Sequence, residues 1–333
     1  MAGTPAPPRV VIVCPASAES NSGNWRTASR WRQLLRASVQ VRIVPQWPDA
    51  QAGSDTVMLA LHARKSAAAI AAWHARHGAH ELGVVLTGTD LYPDITQDAT
   101  AMRSLALAGS LVVLQSQALQ ALPPGARGKA RVIVQSCGTR QTLPKTARLL
   151  RVVMVGHLRK EKNPHMLWRA ARLIGPDAGI RIDHIGQALD AALAHEARAT
   201  AETCPHYRWL QGLGHEQTLR RIQRAHLLVH TSRSEGGALV IAEAIRSGTP
   251  VLATRIDGNV GLLGANYAGL VEADDAEGLA RRLLQCRAEQ DQADGGLLEH
   301  WRRQCALRAP LFDPATEQAA LQAWVEALQR HPR

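Results

Sequence analysis

Two carboxylates, Glu235 and Glu243, are separated by seven residues in the stretch Ser232-Arg-Ser-Glu-Gly-Gly-Ala-Leu-Val-Ile-Ala-Glu-Ala-Ile-Arg-Ser-Gly-Thr-Pro250. Between them lie a glycine pair, Gly236 and Gly237, and an apolar run. The glycines let the backbone approach a ligand with no side chain in the way. The amides from Gly237 through Ala238 to Leu239 are expected to open a helix and present unpaired N–H groups. A helix N-terminus attracts phosphate, by roughly 0.3–2 kcal/mol from the dipole alone. Glu243, further along that helix, has the chemistry to accept hydrogen bonds from the hydroxyls of a ribose, and such charged acceptors contribute roughly 1.5–3 kcal/mol each. Glu235 stands at the loop mouth, where a sugar would lie. The arrangement suits a nucleotide sugar. Ordinary helix punctuation, with Gly248 as C-cap and Pro250 as stop, accounts for part of the same pattern.

Other polar clusters follow apolar runs. Gly156-His-Leu-Arg-Lys-Glu-Lys-Asn-Pro164 is basic, and Asp257-Gly258-Asn259 reads as a flexible turn that either closes on a sugar or is only a loop. Three segments lie nearer the N-terminus. Asn21-Ser-Gly-Asn-Trp-Arg-Thr27 offers a glycine loop into a helix, with donors on Asn24, Arg26 and Thr27 beside Trp25. Leu61-His-Ala-Arg-Lys-Ser66 places the potential cations His62, Arg64 and Lys65 at a helix start. Cations there oppose the helix dipole, so helix stability does not explain them. Leu86-Thr-Gly-Thr-Asp-Leu-Tyr92 presents Thr87, Gly88, Thr89 and Asp90 at a strand end, where Asp90 is also able to cap the next turn.

These segments need strands and helices to hold them. The first half alternates apolar strands (9–14, 39–44, 56–61, 82–87, 111–114, 131–134) with helical runs at 24–35, 66–76 and 104–108. The second half repeats the alternation, with strands at 150–155, 181–185, 207–210, 227–230, 250–254 and 269–272. Its helical runs are 165–174, 188–200, 216–224, 275–286 and 313–330. Such alternation implies doubly wound α/β sheets. Ligands then sit outside the carboxyl ends of strands, and every cluster above follows a predicted strand. The two halves join near 135–145, where Gly138 and Pro144 occur.

Composition narrows the class. A chain of 333 residues, 46% apolar, holds two domains with separate cores. No apolar run reaches the roughly 20 residues of a membrane span. The Ala/Pro-rich start does not read as a signal peptide, so a cytoplasmic location is expected. Cys14, Cys137, Cys204, Cys286 and Cys305 are scattered without metal-ligand spacing, so no metal is expected and reduced thiols are. A reactive role stays open for Cys14 and Cys137, near predicted strand ends. The formal charge of +11 is dispersed, with no basic tract. It fits anionic small molecules, or compositional drift, better than nucleic acid.

The Glu-x7-Glu stretch, as it stands, resembles the donor segment of retaining GT-B glycosyltransferases, a family 4-like group. The resemblance implies two Rossmann-like doubly wound parallel-sheet domains facing a central cleft. It places them at 1–140 for an acceptor and 141–312 for a nucleotide-sugar donor. A last segment, 313–333, crosses back to the first domain, with the helix over 317–330. Gly156–Pro164 is similar to the family's Gly-Arg-Leu-x-x-x-Lys-Gly segment, whose basic pair binds the donor diphosphate. Lys162 matches the lysine, His157 replaces the arginine, and Arg159 restores a charge two residues on. Tyr207-Arg-Trp-Leu-Gln-Gly-Leu-Gly214 resembles the loop that meets the base, near Leu213. Most bacterial donors of the family are UDP sugars, so uracil is expected.

The N-terminal phrases resemble a narrower subgroup, the selenosugar synthases of selenoneine biosynthesis, over about 9–275. That implies attack of selenophosphate on C1 of UDP-N-acetylglucosamine or UDP-glucose, with UDP leaving and phosphate lost afterwards. No cofactor, nucleic acid or membrane is implied. Coupling to other enzymes of that biosynthesis is a further implication. The candidate catalytic residues are His62, Asp90, Lys162 and Glu235. Since selenium is a strong nucleophile, His62 and Asp90 are expected to position rather than deprotonate. Two alternatives share the donor motifs. One is transfer to another small acceptor (a thiol, hydroxy acid or sugar), and the other is epimerisation of the nucleotide sugar alone.

Overall fold

Continuous apolar runs make strands that must be covered on both faces, and this chain has two sheets of them. The computed structural model describes residues 8–16, 23–292 and 296–330. Its contacts divide the chain into Met1–Gln135 with Pro314–Arg333, and Ser136–Asp313.

The first unit runs β1 (Arg9–Val13), α1 (Gly23–Leu35), β2 (Gln40–Val44), β3 (Val57–Leu61), α2 (Ala67–His77), β4 (Leu82–Leu86), α3 (Ala99–Leu107), β5 (Ser110–Val113), the short α4 (Ala118–Ala121) and α5 (Pro124–Arg127), and β6 (Ala130–Val132). The sheet order is β2-β1-β3-β4-β5-β6, all parallel. Strand order reverses between β1 and β3, so the connections leaving their carboxyl ends run to opposite faces of the sheet. The gap between them is where such a sheet leaves room for a ligand.

The second unit runs β7 (Leu150–Val155), α6 (Pro164–Ile174), β8 (Ile180–Ile185), α7 (Ala191–Thr203), β9 (Tyr207–Trp209), α8 (His215–Arg224), β10 (Leu227–His230), α9 (Leu239–Ile245), β11 (Val251–Thr254), α10 (Asp257–Leu263), β12 (Leu270–Val271), α11 (Ala276–Ala288) and α12 (Gly296–Arg308). Its order is β12-β11-β10-β7-β8-β9, again parallel, with the reversal between β7 and β10.

The last helix, α13 (Pro314–Gln329), packs on the first sheet. Two tryptophans fix it there. Trp31 of α1 donates to Glu317 at 2.9 Å, and Trp324 donates to Ser110 of β5 at 2.9 Å. The two indoles meet edge to face, 5.9 Å between centroids. Trp324 also lies over Gly83 of β4, where a Cβ would stand 2.3 Å from its ring. Only glycine lets the helix sit this close. Four helices are absent from the sequence reading: the short α4 and α5, α12, and α10, which replaces the flexible turn expected at 257–259.

Candidate active site

At the reversal of the second sheet, the segments after β7 and β10 meet. The chain leaves β7 at Gly156, makes a 3-10 turn over Lys160–Lys162, and enters α6 through Asn163, which is left-handed at φ 49°. Thr231 donates to the carbonyls of Lys162 and Asn163 at 3.0 Å, and Arg233 N–H donates to Glu161 O at 2.8 Å. The two loops are thereby stitched together, and Lys162 reaches Glu235 although 73 residues separate them.

One oxygen of Glu235 takes the whole load. Its Oε1 accepts from Lys162 Nζ at 2.5 Å and Ser232 Oγ at 2.6 Å, and lies 3.1 Å from His230 Nε2. Oε2 has no hydrogen-bond partner among the described residues. Burial works against ionisation here, but the Lys162 ammonium and His230 outweigh it and hold the Glu235 carboxyl well below the usual carboxylate range. Glu235 is therefore an anion at neutral pH with one oxygen to spare. Its backbone is pinned from behind by α10, because a Cβ on Gly258 would stand 2.4 Å from Glu235 O.

The second carboxylate of the pair, Glu243, is 5% exposed, in α9. His215, the first residue of α8, reaches it with Nε2 at 2.8 Å from Oε1. The helix α9 opens at Leu239 with Ala238 as its N-cap residue and no side-chain cap bond. Gly236 is buried and Gly237 half-buried, and neither takes a positive φ. Leu213 is half-buried in the loop between β9 and α8. His157 accepts from Gln187 N–H at 3.2 Å and so braces the loop after β8, while Arg159 faces Glu161 at 3.6 Å. Away from this cluster, at the β8–β9 edge, a hollow of about 480 Å³ is lined in part by Gln187, Leu189, Arg198 and Trp209. Arg198 stacks over the Trp209 ring there, 5.5 Å from its centroid.

The first unit is built differently. His62 and Asp90 are both 2% exposed. Asp90 accepts from the amides of Thr87 and Gly88 at 2.9 Å and of Ala63 at 2.8 Å, which ties the loop after β3 to the loop after β4. Its lone pairs are spent on backbone, so it holds the loops in place. His62 is left-handed at φ 73°, a conformation that costs energy for a non-glycine residue. Its Nδ1 accepts from Lys65 N–H at 3.4 Å, which leaves Nε2–H to face Thr89 Oγ1 at 3.1 Å. Burial, opposed by Asp90 and helped by Lys65 and Arg64, lowers the His62 pKa. The cation expected at His62 is therefore a neutral imidazole. Arg64 pairs with Asp98 at 3.3 Å, whereas Lys65 is exposed and its ammonium has no ion-pair partner among the described residues.

On α1, Thr27 is buried, donates to Gly23 O at 2.9 Å and accepts from Gln135 at 2.5 Å. Asn24, Trp25 and Arg26 are half-buried in its first turn. Asn21 and Ser22 lie outside the described residues.

The segment 257–259, expected as a turn that closes on a sugar or as only a loop, is not an open loop. Asn259 is wholly buried in the first turn of α10 and donates to Thr254 O at 2.9 Å, and Gly258 packs against the Glu235 backbone. His230 and His215 were not singled out in the sequence, although each abuts a motif residue in space. The one available signal was a histidine ending an apolar strand, which is more often plain core. All five cysteines are buried and none is in a disulfide, and burial raises the Cys14 thiol pKa, against a reactive thiolate. Among the described residues there is no group of three or more His, Cys, Asp or Glu side chains able to hold a metal ion. No helix there is long and apolar enough to cross a membrane.

Residues 139–299 match the family model described as glycosyl transferases group 1. The match lies within the C-terminal unit and does not extend to the N-terminal unit. A curated relative, D-inositol 3-phosphate glycosyltransferase of Corynebacterium urealyticum, is 30% identical over 159 residues. That match covers 45% of this chain and 37% of the relative's length. Among solved structures, sucrose-phosphate synthase from Thermosynechococcus elongatus superposes with a TM-score of 0.75 at 16% identity, covering 97% of this chain and 99% of its own. Anabaena Alr3699/HepE, solved in complex with UDP-glucose, gives 0.71 at 17% identity, covering 96% and 99%. At such identities the likeness is one of fold, and the fold is GT-B: two Rossmann-like units, each with a six-stranded parallel sheet.

Proposed function

We propose that the protein transfers a sugar from UDP-N-acetylglucosamine or UDP-glucose to selenophosphate. Selenium attacks C1, the C1–O bond to UDP breaks, and the Se–P bond is hydrolysed afterwards to leave a selenosugar and phosphate. The observation that carries the donor half is the Lys162–Glu235 pair at the β7/β10 reversal, with Glu235 Oε2 unengaged. Lys162 supplies positive charge where a departing nucleoside diphosphate gains negative charge, beside the amides of 237–239, and so lowers the barrier without a metal. Glu235 Oε2 accepts from a sugar hydroxyl, Glu243 from the ribose, and the Leu213 loop meets the uracil edge. The solved complex of HepE with UDP-glucose supports a UDP-sugar donor on this fold.

For the acceptor, the support is the chemistry of the first sheet's reversal. Lys65 and Arg64 stand beside the His62–Asp90–Thr89 unit, which suits a compact oxyanion that needs no strong base. The selenosugar assignment itself rests on the resemblance of the N-terminal phrases. A second reading keeps the donor half with another small acceptor that carries a phosphate, as the name of the inositol-phosphate relative suggests.

The test is UDP release from each UDP-sugar with and without selenophosphate, followed by mass spectrometry of the product. Release that requires selenophosphate, with a selenium-containing hexose as product, supports the proposal. Equal turnover without selenium overturns the acceptor, and loss of donor with no acceptor present points to epimerisation.

A further inference from the structure

Lys162 cannot serve Glu235 and a diphosphate equally. In this structure its ammonium sits 2.5 Å from Glu235 Oε1. If a donor diphosphate draws that ammonium away, Glu235 is left as a carboxylate whose side chain is only 11% exposed. A buried charge that loses its partner is costly unless another group takes its place. The structure already holds one. His230, at the carboxyl end of β10, has a side chain 2% exposed. Its Nε2 lies 3.1 Å from the same oxygen of Glu235 and 3.2 Å from Ser232 Oγ. Ser232 Oγ spends its proton on Glu235, so Nε2–H must be the donor to both. Lys162 and His230 are the two groups that hold the Glu235 carboxyl ionised, and the imidazole also faces the Ser232 hydroxyl.

We propose that His230 is the positioning residue of the donor site, holding Glu235 oriented when Lys162 turns from it to the donor diphosphate. This rests on the donor half of the function proposed above. His230 Nε2 lies on the same oxygen as the Lys162 ammonium, so Glu235 Oε1 keeps one buried donor when the other is engaged by the donor diphosphate. Oε1 stays fixed throughout, so Oε2 keeps its direction.

Steady-state kinetics with calorimetry of UDP binding test this. His230→Ala removes the donor to Oε1 and should lower kcat/KM about tenfold or more, mostly in kcat, as expected for a lost hydrogen bond to a charged group, with UDP affinity within a few-fold of wild type. His230→Gln keeps a donor in place of Nε2 and should recover most of that loss. An unchanged kcat in His230→Ala, or a His230→Gln activity as low as that of His230→Ala, would overturn the role of His230 and leave the donor site standing. Failure of wild type to bind UDP at all would instead overturn the donor site on which it rests.

Discussion

The two sheets reverse their strand order at comparable places, yet what stands at each reversal differs. In the second unit, Lys162, Glu235 and His230 form a charged cluster around a single carboxylate oxygen, and the other oxygen is unspent. In the first unit, Asp90 is consumed by three backbone amides, His62 is neutral, and the cations are peripheral. A carboxylate satisfied by amides is scaffolding, while one balanced by mobile side chains can exchange partners with a ligand. The comparison assigns electrostatic work to the second unit and shape to the first.

The sharpest way to break it is Lys162→Ala. It should lower kcat/KM by about 10²–10³, the cost of removing one preorganised group from a developing charge. Activity near wild type would mean that the charge is handled elsewhere. Acid probes the interior beneath each site. His184, wholly buried under the second sheet's face and bonded to Tyr207, is pushed down from 6.5 to about 4 by burial. The unfolded chain then binds the extra proton, so stability is full above about pH 6.5 and falls as pH drops toward 4, by about 3 kcal/mol at most from this group. Urea titrations at pH 7 and pH 4.5 should show that loss in wild type, and a smaller one in His184→Gln.

Glu243→Ala should weaken UDP binding by roughly 1.5–3 kcal/mol, with the charged hydrogen bonds that it removes. Wild-type affinity by calorimetry would refute the ribose assignment. On the first unit, Gly83→Ala drives a methyl into Trp324 and should cost about 1–3 kcal/mol in urea unfolding, with no change in the donor KM. The smallest expected effect is that of Arg64→Ala, a few-fold rise in the selenophosphate KM at unchanged UDP affinity, because the exposed guanidinium already shares its charge with Asp98. An unchanged selenophosphate KM would remove Arg64 from the acceptor site.

Much of this organisation is legible in the chain. Runs such as Val57–Leu61 and Leu227–His230 are apolar on both faces, so they specify central parallel strands. Glu235 and Glu243 also stand out by their spacing. The misread elements have physical reasons. Asp257-Gly258-Asn259 has the composition of a turn, yet Gly258 is there because α10 packs on the Glu235 backbone, a contact no local pattern encodes. The stretch 296–308 is rich in charge and lacks a clean apolar stripe, so the helix α12 is held mainly by the burial of Trp301 and Cys305.

The order of strands, the glycine loops and the pair of glutamates were set by local composition and spacing, because these depend on near neighbours along the chain. Which charges meet was decided only in three dimensions. Lys162, His230 and Glu235 converge because the sheet reverses between β7 and β10, and burial lowers the His62 pKa in spite of the neighbouring Asp90 carboxylate. Electrostatic character depends on distance and burial, and neither is a property of a residue's place in the sequence.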